Sequence, residues 1–502
     1  MAEEEPRGRE KDLLEARRES LERLRAKAIE PFAMTFEADA HAAGLRAGFG
    51  GIVAGQVEEK RFAVAGRIVM KRDMGKLKFL VLRDATGDIQ LACRGLEMVP
   101  GSSDVLEETD LGDIVGAQGR VGKTEKGELS IFVEELTMLT KALRPLPEKW
   151  HGLKDPDLQQ RRRYVHLIVD DAPRRYAAAR SEMLKALRRI LDERGYVEIE
   201  GPMLQTVAGG AMARPFTTYH NALDMEMKLR ISLELFLKRM LVGGIERVYE
   251  IGRNFRNEGI DRDHNPEFTM LEAYEAYGDY RTMMRLSEAL VVEAARVVNV
   301  VMGRDPERLA VPFRGREIDL APPFGEITIL GSVAGAAGEE VTLERPDLQA
   351  LAEKHEVPFD PAWGPGKIVL EMFEKLVEPG ILEPTFVCDF PRGVSPLARP
   401  HREDPALTEH FDLVIGGLEL VTAFSELTDP DEQRAKFEDQ MRQREAGDEE
   451  AHPLDEDFLR ALEHGMPPAG GMGMGLDRLL MLLTDAPSLR DVIMFPSHRP
   501  EG

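Results

Sequence analysis

RNFRNEGIDRDHNPEFTMLEAY, running from Arg253 to Tyr274, decides how the rest of this chain is read. Just upstream, Val248, Tyr249, Glu250 and Ile251 alternate as a half-buried strand does, and an apolar pattern resumes at Phe268, Met270 and Leu271 after the His264-Asn265-Pro266 turn. The spacing predicts strand, turn, strand. Into this hairpin the sequence packs a cation, Arg256, an acid, Glu258, and an aromatic, Phe268. A guanidinium is a fixed fork of donors that suits a phosphate or a carboxylate. An exposed aromatic face can stack on a purine. Such a hairpin can hold a nucleoside triphosphate with no glycine-rich loop. Taken singly, each residue reads as part of an ionic surface hairpin; it is the cluster that carries the reading.

FRNEG followed by HNPEF resembles motif 2 of the class II aminoacyl-tRNA synthetases, and from about Phe62 to Pro500 the chain resembles the lysyl-tRNA synthetase branch, with its motifs in the family's order. The fold this implies is α+β: an N-terminal OB-fold barrel, then a catalytic domain built on an antiparallel sheet flanked by helices. We expect an N-terminal helical extension and connection over 1–59, the barrel over 60–143, a basic linker over 144–166, and the catalytic domain over 167–502 with an insertion at about 300–380.

Composition bounds the partners. The formal charge of −24 argues against a general nucleic-acid binder, DNA included. From Lys60 to Trp150, however, 15 Lys and Arg face 14 Asp and Glu, so this stretch is net +1 and the remainder carries −25. An RNA contact therefore fits the early part best. Cys93 and Cys388 form neither a disulfide framework nor a zinc motif. No apolar run is long enough for a membrane span, and the charged first thirty residues do not read as a signal peptide, so a cytoplasmic location is expected.

From Phe62, short β segments separated by turns at Met74-Gly75, Thr86-Gly87 and Lys126-Gly127 suit a small barrel of the OB type. Phe79, flanked by Lys76 and Lys78, and Gln90 on the next strand can stack on and read splayed bases. The resemblance adds Arg72 and Glu135 and implies that all four read the anticodon of tRNA(Lys). Downstream, Met183, Leu184, Leu187, Ile190 and Leu191 fall at helical spacing, with Gly195 ending the helix. Helix, strand and Pro202 resemble motif 1, which implies a homodimer.

Three further stretches complete the site. Gly209-Gly210 makes a turn whose backbone can approach a ligand. Asp412 and Glu419, seven apart across Gly416-Gly417, are placed for two antiparallel strands to aim both carboxylates at a Mg2+ ion carried by a triphosphate. In AGGMGMGLDRLL the glycines allow a strand to bend into a helix, and Arg478 falls on that helix's first turn, where the helix dipole also favours phosphate. The latter string resembles motif 3.

By resemblance the activity is ligation of L-lysine to tRNA with ATP through a lysyl-adenylate. Arg256 and Arg478 would be catalytic; Glu258, His264, Phe268 and Glu419 would complete the ATP site. Gly210, Glu234, Arg256, Tyr274, Thr422 and Glu426 would bind lysine. With no cation assigned to them, Glu234 and Glu426 would repel and one would stay protonated. The chain departs from the family at Ser232-Leu233, where Ala-Pro is usual, at Lys228, where an aromatic is frequent, at Asp412, where Glu is frequent, and at Val421-Thr422-Ala423, where several members have Gly-Asn-Gly. The rival readings are an aspartyl or asparaginyl ligase, whose acidic substrate needs cations where FSE at Phe424–Glu426 supplies an anion, and a non-catalytic RNA-binding or lysine-sensing paralogue.

Overall fold

A computed structural model describes residues 9–147, 153–445 and 453–500. Parts of the expected extension (1–8) and linker (148–152) lie outside the described residues. The chain divides into two compact units, Met1–Lys154 with Pro500–Gly502, and Asp155–Arg499.

In the first unit, helices α1 (Arg9–Ala26) and α2 (Ala42–Phe49) precede strands β1 (Val57–Asp73), β2 (Lys78–Asp84), β3 (Gly87–Cys93), β4 (Ile114–Lys123) and β5 (Leu129–Thr140), with α3 (Ser102–Glu108) between β3 and β4. The strands close into a barrel in the order β1-β2-β3-β5-β4, as the turn spacing predicts. Period-two alternation sends Leu80, Leu82, Ile89 and Leu91 inward, where all are fully buried. The N-terminal extension is part of this body: Leu24 of α1 and Leu45 of α2 join the barrel core. Arg17 of α1 anchors it by donating to the carbonyls of Ala142 (2.8 Å) and Leu111 (2.6 Å).

The second unit begins with α4 (Pro156–Arg161), α5 (Arg163–Val169) and α6 (Ala172–Glu193), so the C-terminal part of the stretch expected as linker is helical. In α6, Met183, Leu187 and Leu191 are buried, and Gly195 stands just past the end at φ +78°. Then come β6 (Val197–Glu198), β7 (Leu204–Gln205), β8 (Thr217–His220), β9 (Met225–Leu229), α7 (Glu234–Val242), β10 (Arg247–Phe255), β11 (Glu267–Ala276) and α8 (Tyr280–Val301). After the hairpin β12 (Ala310–Phe313) and β13 (Arg316–Asp319) follow β14 (Gly325–Thr328), α9 (Ile329–Ala337), α10 (Leu348–Lys354) and α11 (Pro365–Leu376). The chain closes with β15 (Thr385–Pro391), β16 (Leu407–Ile415), β17 (Leu418–Ser425), α12 (Pro430–Glu445), α13 (Glu456–Glu463), β18 (Ala469–Gly475), α14 (Leu476–Thr484) and α15 (Leu489–Val492).

Eight strands form the main sheet in the order β14-β15-β16-β17-β18-β11-β10-β6, antiparallel except for its two outermost pairs. The 300–380 stretch is therefore partly structural, since it supplies edge strand β14, and its helices α9 to α11 bury a core of their own. One face of the sheet packs on α6, α8 and α14 through Leu271, Ala273, Val421, Ala423, Met472 and Met474. Two of the departures noted above, Val421 and Ala423, thus lie in the core. The opposite face carries the site.

Two buried ion pairs fix the hairpin β10–β11. Arg230 pairs with Glu250 at 2.6 Å and donates to the Arg253 carbonyl at 2.7 Å. Asp477, on the first turn of α14, pairs with Arg180 of α6 and accepts from the Thr269 N–H at 2.7 Å. Removing one member of such a pair leaves an uncompensated buried charge, at a cost of about 3–5 kcal/mol.

Candidate active site

Pairing register sets out the floor of the site. Residue by residue, Glu250 faces Glu272, Glu272 faces Gly473, Gly473 faces Thr422, and Thr422 faces Asp412. One step along, Val248 faces Tyr274, Tyr274 faces Gly471, Gly471 faces Phe424, and Phe424 faces His410. The Gly/Met string of β18 is thereby explained: methionines point into the core, and glycines line the other face as a trough between two walls of side chains. Close approach, and not a backbone bend, requires glycine. A Cβ on Gly471 would overlap the Glu426 carboxylate and the Tyr274 ring, and among these glycines none has positive φ.

At one end of the trough stand acids. Glu234, Glu272 and Glu426 are all buried. Lys238, one helical turn after Glu234, lies between two of them, with Nζ 2.5 Å from Glu234 and in contact with Glu426. This corrects the expectation of two acids with no cation: the cation is supplied by the chain. Burial pulls its amine down, but the two carboxylates lift it further, so its pKa is raised. Burial also raises the acids, Glu426 to about 8 against the pull of Lys238, and Glu272 to about 7 with help from Glu234. Glu272 accepts from Ser232 Oγ (3.0 Å), the Leu233 N–H (3.0 Å) and the Tyr274 hydroxyl (3.1 Å). A proline at 233 has no N–H to give, so the departure at Ser232-Leu233 furnishes two of these three donors. Gly210, at φ +89°, stands where a Cβ would press on Ser232 Oγ and the Glu234 Cβ.

At the other end stand cations. Arg256, just beyond β10, lies over the Phe268 ring at 5.2 Å and donates to the Ile231 carbonyl at 3.4 Å. Burial lowers its pKa from the ordinary arginine value. Arg478 donates to the Glu419 carbonyl at 2.9 Å and meets His264 Nε2 at 3.0 Å. Arginine has no acceptor, so His264 Nε2 accepts, which places the ring proton on Nδ1, facing Asp261 at 2.8 Å. Glu258 lies exposed on the cavity wall beside Arg256.

Asp412 and Glu419 do converge, by a device the spacing did not reveal. A register shift between Leu413 and Val414 pairs Val414 with Glu419 and leaves Leu420 unopposed, turning Glu419 toward the side of Asp412 and Thr422. Desolvation in the cleft and then the Asp412 charge raise the Glu419 carboxyl. Glu378, just after α11, is pushed up to about 7 by burial and by Glu419. Among the described residues no three His, Cys, Asp or Glu side chains form a metal-holding group on their own. His410 Nε2 lies 3.2 Å from Asp412 and 3.0 Å from Thr422 Oγ1, and its Nδ1 lies 2.8 Å from Ser395 Oγ.

Of the sequence-predicted residues, Gly210, Glu234, Arg256, Tyr274, Thr422 and Arg478 line one cavity. Glu258, His264, Phe268 and Glu419 line it too, while Asp412 and Glu426 are not among its lining residues. Four contributors were missed. Glu272 alternates with Phe268, Met270 and Tyr274 on one strand face, and His410 stands two before Asp412, so both were accessible to period-two reading. Lys238 is four after Glu234 on a helix. Glu378 carries no sequence signal.

On the barrel, Arg72 faces Phe79 and Gln90 faces Val81, which puts the three side chains on one outer face. They line a groove with Arg94, Arg120 and Phe132. Glu135 is exposed at a register shift and falls outside this groove, whereas Glu134 lines it and is paired with Arg61 at 2.8 Å and Arg120 at 3.1 Å.

Comparison with known proteins places both parts of the chain in families. Residues 155–499 match the model of tRNA synthetases class II (D, K and N), and residues 62–139 match that of the OB-fold nucleic acid binding domain. The chain is 48% identical to the lysine–tRNA ligase of Moorella thermoacetica over 98% of this chain and 99% of that protein. It is 48% identical to the one from Syntrophomonas wolfei over 98% of each chain, and 48% identical to that of Thermosynechococcus vestitus over 96% of each.

Proposed function

This chain belongs to the class II tRNA synthetases, within them to the lysine–tRNA ligases, and on that premise we propose how its cavity performs the ligation. The observation that carries the proposal is the division of charge along one trough. Buried acids at one end suit an amine, and Arg256 and Arg478 at the other suit a carboxylate and a triphosphate. The lysine carboxylate attacks the α-phosphorus of ATP; the bond to the bridging oxygen breaks and pyrophosphate leaves, giving lysyl-adenylate. A terminal ribose hydroxyl of tRNA(Lys) then attacks the lysyl carbonyl and AMP leaves.

Arg256 neutralises charge on the α-phosphate and on the incoming carboxylate, Arg478 and His264 hold the outer phosphates, Phe268 stacks on adenine, and Glu258 orients the nucleotide. Asp412 and Glu419 fit a magnesium ion: the Asp412 charge raises the Glu419 carboxyl, a like-charge contact that a divalent cation relieves. When bound, Mg2+ would neutralise phosphate charge. Tyr274 and Thr422 would hydrogen-bond lysine beside Glu234 and Glu426. Lys238 does not turn the pocket toward an acidic substrate, because both acids already engage it. Phe79, Gln90 and Arg72 read the anticodon, and the chain acts in the cytoplasm as a homodimer; no helix among the described residues is long and apolar enough to cross a membrane.

The test is lysine-dependent exchange of labelled pyrophosphate into ATP. Exchange is expected with lysine and not with aspartate or asparagine; its absence with all three, in a folded protein supplied with Mg2+, would refute the two-step route.

A further inference from the structure

Lys238 belongs to no motif read from the sequence, yet it is wholly buried, with side-chain exposure of 0%. Its Nζ lies 2.5 Å from Glu234 Oε1, contacts Glu426 Oε2, and stands 5.7 Å from the centre of the Phe424 ring. Phe424 lines the amine end of the cavity. The Glu426 carboxylate, also wholly buried, is met by Lys238 on Oε2, and its Oε1 has no hydrogen-bond partner among the described residues. Its Oε1 is turned away from the Lys238 contact, toward Gly471 and Tyr274, both on the cavity wall. A buried carboxylate oxygen with nothing donating to it is costly unless an occupant supplies an N–H.

The charges give the reason for this arrangement. With both acids ionised, Glu234, Glu426 and Lys238 sum to one negative charge. Around them, Glu272 and Tyr274 face in from β11, Glu272 held by its three donors, and Lys436 of α12 lies near enough to Lys238 for the two to repel. With no cation at 238, two adjacent buried acids would hold protons instead, and the cavity would accept an uncharged side chain without penalty.

We propose that Lys238 is a specificity-determining residue: an ammonium built into the end wall, it pairs with Glu234 and Glu426 and lowers the cost of ionising both, so that the side-chain ammonium of the substrate completes a neutral set of two carboxylates and two cations. It acts through the two acids and touches no reacting atom. The inference rests on the reading of the cavity as a lysine site. It adds that amine selectivity depends on a fixed internal cation as much as on the acids. Norleucine, which matches lysine in length without the ammonium, leaves the charge unbalanced and is refused.

Two variants test this. Lys238→Met keeps the stem and removes the charge; Lys238→Gln also keeps hydrogen-bonding atoms near the acids and serves where the Met variant does not fold. Pyrophosphate exchange is measured with lysine and with norleucine, alongside thermal unfolding. The expected result is a lysine KM raised about 30-fold or more, kcat within threefold, an unchanged KM for ATP, and a lysine-over-norleucine preference reduced at least tenfold. A merely structural role would lower the melting temperature and the active fraction and leave both KM and the preference in place. A folded variant with lysine KM within threefold of wild type and the same preference would overturn the proposal. Wild-type protein that exchanges with no amino acid would instead overturn the reading of the cavity itself.

Discussion

Glu426 and Glu272 are both buried acids at the amine end, but they differ in what holds them. Glu426 has one partner, Lys238 on Oε2, and nothing on Oε1, so it is the group most in need of a substrate ammonium. Glu426→Gln keeps the shape and removes the charge; losing a charged, buried hydrogen bond of about 3 kcal/mol should lower kcat/KM for lysine more than 100-fold. ATP binding should hardly change. The measurement compares lysine, ornithine, arginine and norleucine, and a Gln variant that still prefers lysine over norleucine as wild type does would place the ε-ammonium elsewhere. Glu272 carries a pH prediction. Its carboxyl titrates near 7 in the folded protein, above the ordinary glutamate value of 4.5, chiefly through burial. The folded state then binds the proton more tightly than the unfolded state, so this group's contribution to stability falls as pH rises from about 4.5 to 7. Glu272→Gln should therefore raise the melting temperature relative to wild type at pH 8, by up to about 3 kcal/mol of stability. It should make little difference at pH 4.5. A difference independent of pH would show that the carboxyl is not perturbed.

Among the elements, strand pairing turned residue spacing into a site. On β17, strict alternation puts Glu419 on the face opposite Thr422, and the register shift that leaves Leu420 unopposed returns it. On β18, alternation runs unbroken and puts Gly471, Gly473 and Gly475 on the face opposite Met472 and Met474. In the barrel, Phe79 and Gln90 sit on β2 and β3 with Arg72 on β1, a three-strand platform of the kind that stacks bases. Phe79→Ala should cost about 1–3 kcal/mol of tRNA affinity, seen as a raised KM for tRNA in aminoacylation. Pyrophosphate exchange without tRNA should be unchanged. Equal losses in the two assays would remove Phe79 from anticodon reading.

For the whole molecule, the β6 to β9 stretch leaves large apolar side chains exposed: Val197 and Met203 at 48% each, Tyr219 at 55% and Leu223 at 62%. This supports a second copy covering the face next to α6. Sedimentation at micromolar concentration should give twice 56.2 kDa, and a fully active monomer would refute the dimer. The sequence by itself determined the barrel, the hairpin, the closing strand and helix, and nearly all of the residues that line the cationic end of the cavity, because each is a local pattern of alternation, turn and cap around residues whose chemistry is specific. It did not determine the partners of buried charges. Lys238 meets Glu426 across 188 residues of chain, and the Ser232 and Leu233 donors reach Glu272 from another element, so only tertiary packing decides which acids are paired and which await a ligand. The same holds for Glu419, whose direction depends on a register shift that no periodicity encodes, and for Glu134 and Glu135, where one shift decides which of two neighbours enters the groove. Local physics fixes the elements; burial, which is non-local, sets the charge state of what lies between them.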